Sequence, residues 1–236
     1  SEMCIRDRQT GIDLPGEADS LYFSEDELNI VELATSSFGQ NFSITPIQMI
    51  TAIAAVANGG YLVQPHVVDR MLDSDGNIVK TTDTSYKRQV ISEDVSKRMT
   101  AILQKNATSE SGKNGYVAGY RVAGKTGTSE KVALYYQDLA EGNDRGMQYV
   151  VSYGGYAPAD DPQYALLVFY DEPQIGGASG GTQAGPIFAA IMEEVLPYLG
   201  VDPQYTESEY ENLSATAPNV IGMTMAEAKS HLEEQG

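Results

Sequence analysis

Two runs of strand-forming residues lie close together in the second half of this 236-residue sequence. Residues 147–156 and 164–170 are rich in β-branched and aromatic side chains, and a short connection with the turn-forming stretch APADDP separates them. A connection of this length lets two strands pair antiparallel, whereas a parallel pair requires a crossover of about a dozen residues or more. The sequence therefore predicts an antiparallel hairpin, which argues against an all-parallel sheet.

Residues 119–126, GYRVAGKT, match the pattern G-x-x-x-x-G-K-T of the phosphate-binding loop in nucleotide hydrolases. That loop requires a buried strand before it and a helix that begins at its Lys-Thr pair. Here the preceding stretch is polar and rich in glycine, and the residues after Lys125, TGTS, form a poor first helical turn. Residues 166–172, which would supply a strand with Mg²⁺-binding carboxylates, belong to the antiparallel hairpin. A nucleotide hydrolase is therefore kept only as a disfavoured alternative.

The charge of the chain is strongly negative, with 33 Asp and Glu against 15 Lys and Arg and a net charge of −18. A surface of this sign repels nucleic acid and anionic lipid, so neither is predicted as a partner.

A single cysteine, Cys4, cannot form a disulfide within the chain. His66 and His231 lie far apart in sequence, near no cysteine and no carboxylate at metal-ligand spacing, so we predict no metal and no cofactor. No apolar run approaches the roughly 20 residues that span a bilayer.

Three segments have the hydrophobic periodicity of helices. The first begins at Thr45-Pro46 and ends at Asn58-Gly59-Gly60, and its apolar residues cover nearly the whole circumference, which predicts burial on most sides. The second begins near Ser92, and the third covers residues 182–200. Between the first two, the pair Asp75-Gly76 predicts the turn of a β-hairpin, because it is favoured where φ is positive.

The segment Lys125-Thr126-Gly127-Thr128 is interpreted as a strand, with Lys125 and Gly127 facing one side of a sheet and Thr126 and Thr128 the other. At the edge of a sheet, both sets would be accessible. A glycine in a strand lets another backbone approach closely. An ammonium group and hydroxyls beside that gap suit an extended substrate that carries a carboxylate. From the residues alone, an exposed strand end with solvated side chains remains an equally simple interpretation.

Four segments of the sequence occur together and in the order found in class B penicillin-binding proteins: TGIDLPGE, LATSSFGQNFSITPIQMITAIAAVANGG, YRVAGKTGTSEKV and SGGTQAGPIFAAIMEEVLPYLG. From about Gln9 to Gly200 the chain resembles the C-terminal part of their transpeptidase domain, especially that of division and sporulation types. The resemblance implies an α+β fold, with an antiparallel sheet covered by helices on both faces. It also implies a peptidoglycan D,D-transpeptidase that works by serine acyl transfer. Asn41 stands where the family usually has glycine.

The resemblance also assigns the candidate site, because K-T-G belongs to the family set S-x-x-K, S-x-N and K-T-G. It implies a catalytic role for Lys125 in the active-site hydrogen-bond network. Thr126 and Thr128 would bind the carboxylate of substrate or drug, and Gly127 would keep the strand edge clear. Neither S-x-x-K nor S-x-N occurs in the sequence. Since the family places both motifs N-terminal to TGIDLPGE, we expect an N-terminally truncated fragment that is inactive by itself.

The sequence predicts four regions. Residues 1–8 are read as an atypical leader of foreign or artefactual origin, and residues 9–200 as the transpeptidase part. Residues 201–214 are read as an acidic linker. Residues 215–236 resemble the start of a PASTA domain, with a stray amphipathic helix after a Pro-Asn turn as the alternative.

The resemblance implies the partners and location of the parent protein. Peptidoglycan stem peptides would be its substrates, β-lactams its inhibitors and the cell-wall synthesis machinery its partner. An N-terminal helix outside this chain would anchor it at the extracytoplasmic face of the bacterial cell membrane. A non-catalytic cell-wall binding protein that keeps the shape of the pocket is the other open interpretation.

Overall fold

The computed structural model describes residues 9–20, 29–36, 39, 43–143, 145–174, 177–213 and 220–235. The leader at residues 1–8 and the loop position Asn41 lie outside these ranges. Helices and strands follow one another along the described chain in this order: α1 (Ile30–Ser36), α2 (Pro46–Ala57), β1 (Tyr61–Leu62), β2 (Arg70–Leu72), β3 (Ile78–Thr81), β4 (Arg88–Gln89), α3 (Glu93–Ala107), a 3₁₀ turn (Lys113–Gly115), β5 (Ala123–Glu130), α4 (Val132–Ala140), β6 (Tyr149–Ala157), β7 (Tyr164–Asp171), α5 (Gly180–Tyr198), α6 (Glu207–Leu213) and α7 (Met225–Gln235).

The principal sheet has three antiparallel strands in the order β5-β6-β7. Lys125 of β5 lies opposite Gly154 of β6, and Tyr153 of β6 lies opposite Val168 of β7. Residues 158–163 connect β6 to β7 directly, which confirms the antiparallel hairpin predicted from the sequence.

Helices cover both faces of this sheet. Helix α5 packs on one face, where the buried rings of Tyr153 and Phe188 have centroids 4.7 Å apart. Helices α2 and α3 pack on the other face, where Ile53 belongs to the cluster around the buried Tyr156. The hydroxyls of Thr100 and Tyr156 lie 2.7 Å apart and share a hydrogen bond. This arrangement confirms the predicted α+β fold, with an antiparallel sheet between helices.

Helix α2 begins with a reciprocal cap. The Thr45 hydroxyl accepts a hydrogen bond from the Gln48 amide at 3.3 Å, and the Thr45 amide donates to the Gln48 side-chain oxygen at 2.8 Å. The predicted burial on most sides is confirmed only in part, because Met49 keeps 37% of its surface exposed while the polar Gln48 and Thr51 are buried. The Thr51 hydroxyl donates to the Ile47 carbonyl at 2.7 Å, which satisfies it inside the core.

The shorter predicted elements are also present. Strands β2 and β3 pair antiparallel around the predicted turn, in which Gly76 has a positive φ of 85°. Helix α3 begins after Ser92, whose hydroxyl accepts a hydrogen bond from the Val95 amide at 3.3 Å. Two further short strands, β1 and β4, pair with each other.

Strand β5 begins at Ala123, and Arg121, two residues earlier, has a positive φ of 45° that does not belong to an extended chain. Helix α4 was not predicted, and no side chain caps its N-terminus. Its Asp138 carboxylate receives two hydrogen bonds from Arg145, beyond the end of the helix, at 3.0 and 3.1 Å. Local propensity therefore gives little sign of this helix.

Residues 201–213, predicted to be part of an acidic linker, lie against the preceding domain. Val201 packs on the core cluster that contains Phe188, and the Gln204 amide donates to the Gly119 carbonyl at 2.7 Å. Helix α6 follows within this segment. The assignment of residues 201–214 as an acidic linker stays a prediction. Its acidic composition gave no sign of these contacts, although one of its carboxylates, that of Glu209, accepts hydrogen bonds from Tyr116 and Gly119.

Helix α7 lies within the region predicted as the start of a PASTA domain. That assignment stays a prediction, since residues 214–219 and 236 lie outside the described ranges. Among the helices of the described chain, none has the length and apolar character needed to cross a membrane.

Candidate active site

Strand β5 forms one edge of the principal sheet, and no other strand of the described chain pairs with its outer side. At the start of this edge, the Asn106 side-chain amide donates to the Gly124 carbonyl at 2.8 Å. Alternate residues of a strand direct their carbonyls to opposite edges, so the backbone groups of Gly124, Thr126 and Thr128 share this outer edge. An extended peptide that met this edge would find backbone groups ready to pair with it.

The Lys125 side chain is exposed and reaches the same outer edge. Its ammonium nitrogen donates to the Thr126 carbonyl at 2.9 Å and lies 3.4 Å from the Thr126 hydroxyl. The structure thus places a positive charge beside the threonine that follows it. No helix begins at this Lys-Thr pair, because β5 continues to Glu130. The nucleotide-hydrolase alternative is therefore wrong, since its phosphate-binding loop requires a helix at that point.

The hydroxyl of Thr128 has a fixed orientation. It accepts a hydrogen bond at 3.2 Å from the amide of Gly180, the first residue of helix α5. A hydroxyl has one proton to donate and two positions at which it accepts. Because an accepting position is occupied by the helix, the proton of Thr128 is available for an acceptor such as a carboxylate.

Glycines allow helix α5 to approach the Lys-Thr-Gly strand. A β-carbon at Gly180 would lie 2.2 Å from the Ser152 carbonyl oxygen and 2.4 Å from the Gly127 carbonyl oxygen. A β-carbon at Gly127 would lie 2.5 Å from the Ser152 hydroxyl oxygen. The sequence predicted that Gly127 lets another backbone approach the strand, and that role stays a prediction, since the neighbour found here is the Ser152 side chain. Gly180 was not predicted. The signal was present as two consecutive glycines, Gly180 and Gly181, directly before an amphipathic helix.

We expect Gly180→Ala to destabilise the fold, because the new methyl group overlaps backbone atoms of both β5 and β6. Overpacking of a filled core costs about 1–3 kcal/mol or more. Thermal unfolding followed by circular dichroism measures the effect in the 236-residue chain. Gly185→Ala is the matched control, since its β-carbon would come no closer than 3.3 Å to any neighbour. Equal melting temperatures for Gly180→Ala and the unmodified chain would contradict the packing described.

Charged side chains fix the far end of β5. The Lys131 ammonium forms ion pairs with Asp171 at 2.5 Å and Glu172 at 2.8 Å. The hydrogen bonds that Lys131 donates to Asp171 and then to Glu172 raise the pKa of Lys131, so this lysine stays protonated. Arg145 lies 3.7 Å from Glu172 and links this group to Asp138 of α4. The C-terminal ends of β5 and β7 are thereby connected to helix α4, which follows the candidate site.

A separate cavity of about 350 Å³ shares no residue with β5. Its lining includes Asp13, His66 and Lys80, from the turn near the N-terminus and the β2–β3 hairpin. The Asp13 carboxylate accepts hydrogen bonds from the amides of Val67 and Val68, both at 2.9 Å, and these bonds lower the pKa of Asp13. We interpret this cavity as the space beside the junction at which the amides of Val67 and Val68 hold the TGID turn in place.

Within the described ranges, no group of three or more His, Cys, Asp and Glu could hold a metal ion.

An antiparallel sheet between helices, with a Lys-Thr-Gly-Thr segment on its free edge, defines the class of serine acyl-transfer proteins that carry a K-T-G strand. Residues 6–193 match the penicillin binding protein transpeptidase domain, and the chain belongs to this family. The resemblance to class B penicillin-binding proteins drawn from the sequence is thereby confirmed.

Individual relatives agree with this assignment. The chain is 38% identical over 231 residues to stage V sporulation protein D of Bacillus subtilis, covering 95% of this chain and 35% of that protein. It is 29% identical over 197 residues to the peptidoglycan D,D-transpeptidase FtsI of Escherichia coli, covering 83% of this chain and 30% of the relative. Penicillin binding protein 3 of Mycobacterium tuberculosis, solved in complex with aztreonam, superposes with a TM-score of 0.72 at 25% identity, covering 87% of this chain and 46% of that one. The chain thus spans about a third of the length of these curated relatives.

Proposed function

We propose that this chain is the C-terminal part of the transpeptidase domain of a peptidoglycan D,D-transpeptidase. The observation that carries the proposal is the outer edge of β5, where the Lys125 ammonium and the Thr128 hydroxyl border a strand edge that no other strand of the described chain pairs with. The name of the FtsI relative, a peptidoglycan D,D-transpeptidase, supports the same reaction for this chain.

The proposed reaction transfers an acyl group in two steps. A serine oxygen attacks the carbonyl carbon of a D-Ala-D-Ala peptide bond, the C–N bond breaks, and the serine proton passes to the amine of the released D-Ala. The acyl group is left on the serine as an ester. An amine of a neighbouring stem peptide then attacks the ester carbonyl carbon, the amide C–N bond forms as the ester C–O bond breaks, and the proton lost by the amine passes to the serine oxygen. We propose that the serine belongs to an S-x-x-K segment upstream of this chain.

Residues of β5 would bind the end of the stem peptide. Lys125 and the hydroxyls of Thr126 and Thr128 attract the terminal carboxylate, because an ammonium group and a hydroxyl proton are both suitable donors. Gly127 carries no side chain that would block an extended peptide from the strand edge. The second role of Lys125 is catalytic, as a member of the hydrogen-bond network around the serine.

The partners follow from the same chemistry. β-Lactams carry a carboxylate or an equivalent anion next to a reactive carbonyl, and the aztreonam complex of penicillin binding protein 3 supports them as inhibitors here. Stem peptides of peptidoglycan are the proposed substrates, and the cell-wall synthesis machinery of division or sporulation is the proposed partner. We place the protein at the extracytoplasmic face of the cell membrane, anchored by an N-terminal helix outside this chain.

Covalent labelling tests the proposal. The extended protein, meaning this chain preceded by the upstream residues that carry S-x-x-K, is incubated with a fluorescent penicillin. We expect stoichiometric labelling that disappears when the serine of S-x-x-K is replaced by alanine. Reversible binding without a covalent adduct would instead support the non-catalytic cell-wall binding protein.

A further inference from the structure

Residues 201–213, here called the C-terminal clasp, lie beyond the matched range of 6–193 and contact the loop that leads into β5. That loop, residues 116–122, ends one residue before the strand that carries Lys125. Two of its side chains, Tyr120 and Val122, are buried in the core. The loop is therefore anchored in the core beside the strand.

The strongest contact of the C-terminal clasp is made by the Glu209 carboxylate. One of its oxygens accepts hydrogen bonds from the Tyr116 hydroxyl at 2.6 Å and from the Gly119 amide at 3.1 Å. The other oxygen accepts from the amide and the hydroxyl of Thr206 at 2.7 and 2.8 Å, which caps helix α6. A single carboxylate thus joins α6 to the loop.

Gly119 is held on both sides by the clasp. Its amide donates to Glu209, while its carbonyl accepts from the Gln204 amide at 2.7 Å. It has a positive φ of 82°, and a β-carbon there would lie 2.8 Å from Pro203 and 2.9 Å from the ring of Tyr205. Only glycine combines this backbone conformation with this close approach.

Arg121 extends the connection to the sheet. Its guanidinium bonds to the Gln204 side chain of the clasp at 2.9 Å and to Asp160, in the β6–β7 connection, at 2.8 Å. Its backbone carbonyl accepts from the Ala159 amide at 2.9 Å, and its φ of 45° is strained for a residue with a side chain. Arg121 thus sets the direction in which the chain passes from the loop into β5, four residues before Lys125.

We propose that Glu209 is a positioning residue for the transpeptidase reaction. Through Tyr116 and Gly119, the C-terminal clasp fixes the loop 116–122, and through that loop it fixes the position of Lys125 and Thr128 relative to the substrate. This inference rests on the proposed function. It means that the reaction depends on residues 201–213, which lie outside the matched range of 6–193.

The protonation states of Glu209 and Tyr116 stay constant near neutral pH. Burial alone would raise the pKa of Glu209, but hydrogen bonds from Tyr116, Thr206 and Gly119 outweigh it and lower the pKa to about 2. Burial, and then the bond to Glu209, raise the pKa of Tyr116 to about 12. The bond therefore joins a carboxylate to a neutral hydroxyl throughout the pH range in which a cell-wall enzyme works.

The first test is the rate of acylation of the extended protein by a fluorescent penicillin. Glu209→Gln removes the charge and one acceptor, and Tyr116→Phe removes only the hydroxyl that reaches the clasp. We expect both to slow the acylation step at least about tenfold at saturating penicillin, since misplacement of reacting groups by about 1 Å costs up to 100-fold. Glu207→Gln, an exposed position of the same helix, is the control and should react at the normal rate. Normal acylation by both variants would overturn the proposal.

The second test does not depend on enzymatic activity. Hydrogen exchange of the 236-residue chain, measured by mass spectrometry, should be faster for residues 116–128 in Glu209→Gln and Tyr116→Phe than in Glu207→Gln. Unchanged exchange in this segment would overturn the positioning role even if acylation were slower. If the unmodified extended protein failed to label at all, the proposed function would be wrong, whereas the exchange experiment would still decide whether the clasp fixes the strand.

Discussion

Incubated with a fluorescent penicillin, the 236-residue chain is expected to acquire no covalent adduct. Acylation requires a hydroxyl next to a base that removes its proton, together with donors aimed at the carbonyl oxygen. The sequence contains neither S-x-x-K nor S-x-N. Strand β5 supplies hydrogen-bond donors for a carboxylate. Such donors do not remove a proton from a hydroxyl, so they do not activate a nucleophile.

One spacing in the chain resembles the missing motif, because Thr128 and Lys131 are three residues apart. The structure shows why this pair cannot replace it. Lys131 is bound by Asp171 and Glu172, which raise its pKa and keep it protonated, so it cannot act as a base. Intact-mass spectrometry measures the adduct, with the extended protein as the positive control. A stoichiometric mass shift that is lost on replacing one serine of this chain would show that the active site has been misplaced.

In the extended protein, Lys125→Ala is expected to slow acylation by penicillin by roughly 10- to 150-fold. Hydrogen bonds to charged groups contribute roughly 1.5–3 kcal/mol each, and about 1.4 kcal/mol corresponds to a tenfold change in rate. The melting temperature should stay nearly unchanged, because Lys125 is exposed and its hydrogen bonds within the described part of the chain are to its neighbour Thr126. Stopped-flow acylation and thermal unfolding of the same preparations separate these two effects.

Two further variants sharpen this test. Lys125→Arg should also react slowly, since a planar guanidinium does not replace a compact ammonium group. Lys97→Ala removes another exposed lysine, from an ion pair with Glu93 on α3, and should react normally. Rapid acylation of Lys125→Ala would show that Lys125 has no role in the catalytic hydrogen-bond network. It would then support the interpretation of this segment as an exposed strand end.

The parts of the fold that were predictable depend on residues close together in sequence. The hairpin of β6 and β7, the turn at Gly76 and the N-cap at Ser92 each follow from a local pattern. The contacts of helix α4 and of the C-terminal clasp were missed because charged side chains make them with residues outside each element. Arg145, beyond the end of α4, donates to Asp138, and Glu209 accepts from Tyr116, which precedes it by 93 positions.

The candidate site divides in the same way. The strand character of Lys125 to Thr128 could be inferred from the sequence, as could the need for a small residue at Gly127. The orientation of the Thr128 hydroxyl could not, since it depends on the first amide of α5, 52 positions further along the chain. No propensity or spacing connects those two residues.

The outer edge of β5 has a consequence for the behaviour of the chain in solution. A strand edge that lacks a partner strand does not distinguish a peptide from a strand of another copy, so this edge can also promote self-association. The net charge of −18 opposes it by mutual repulsion between copies. Salt weakens that repulsion, because the screening length falls to about 8 Å at physiological ionic strength. The acidic composition of the chain thus helps keep the outer edge of β5 free of other copies when the ionic strength is low.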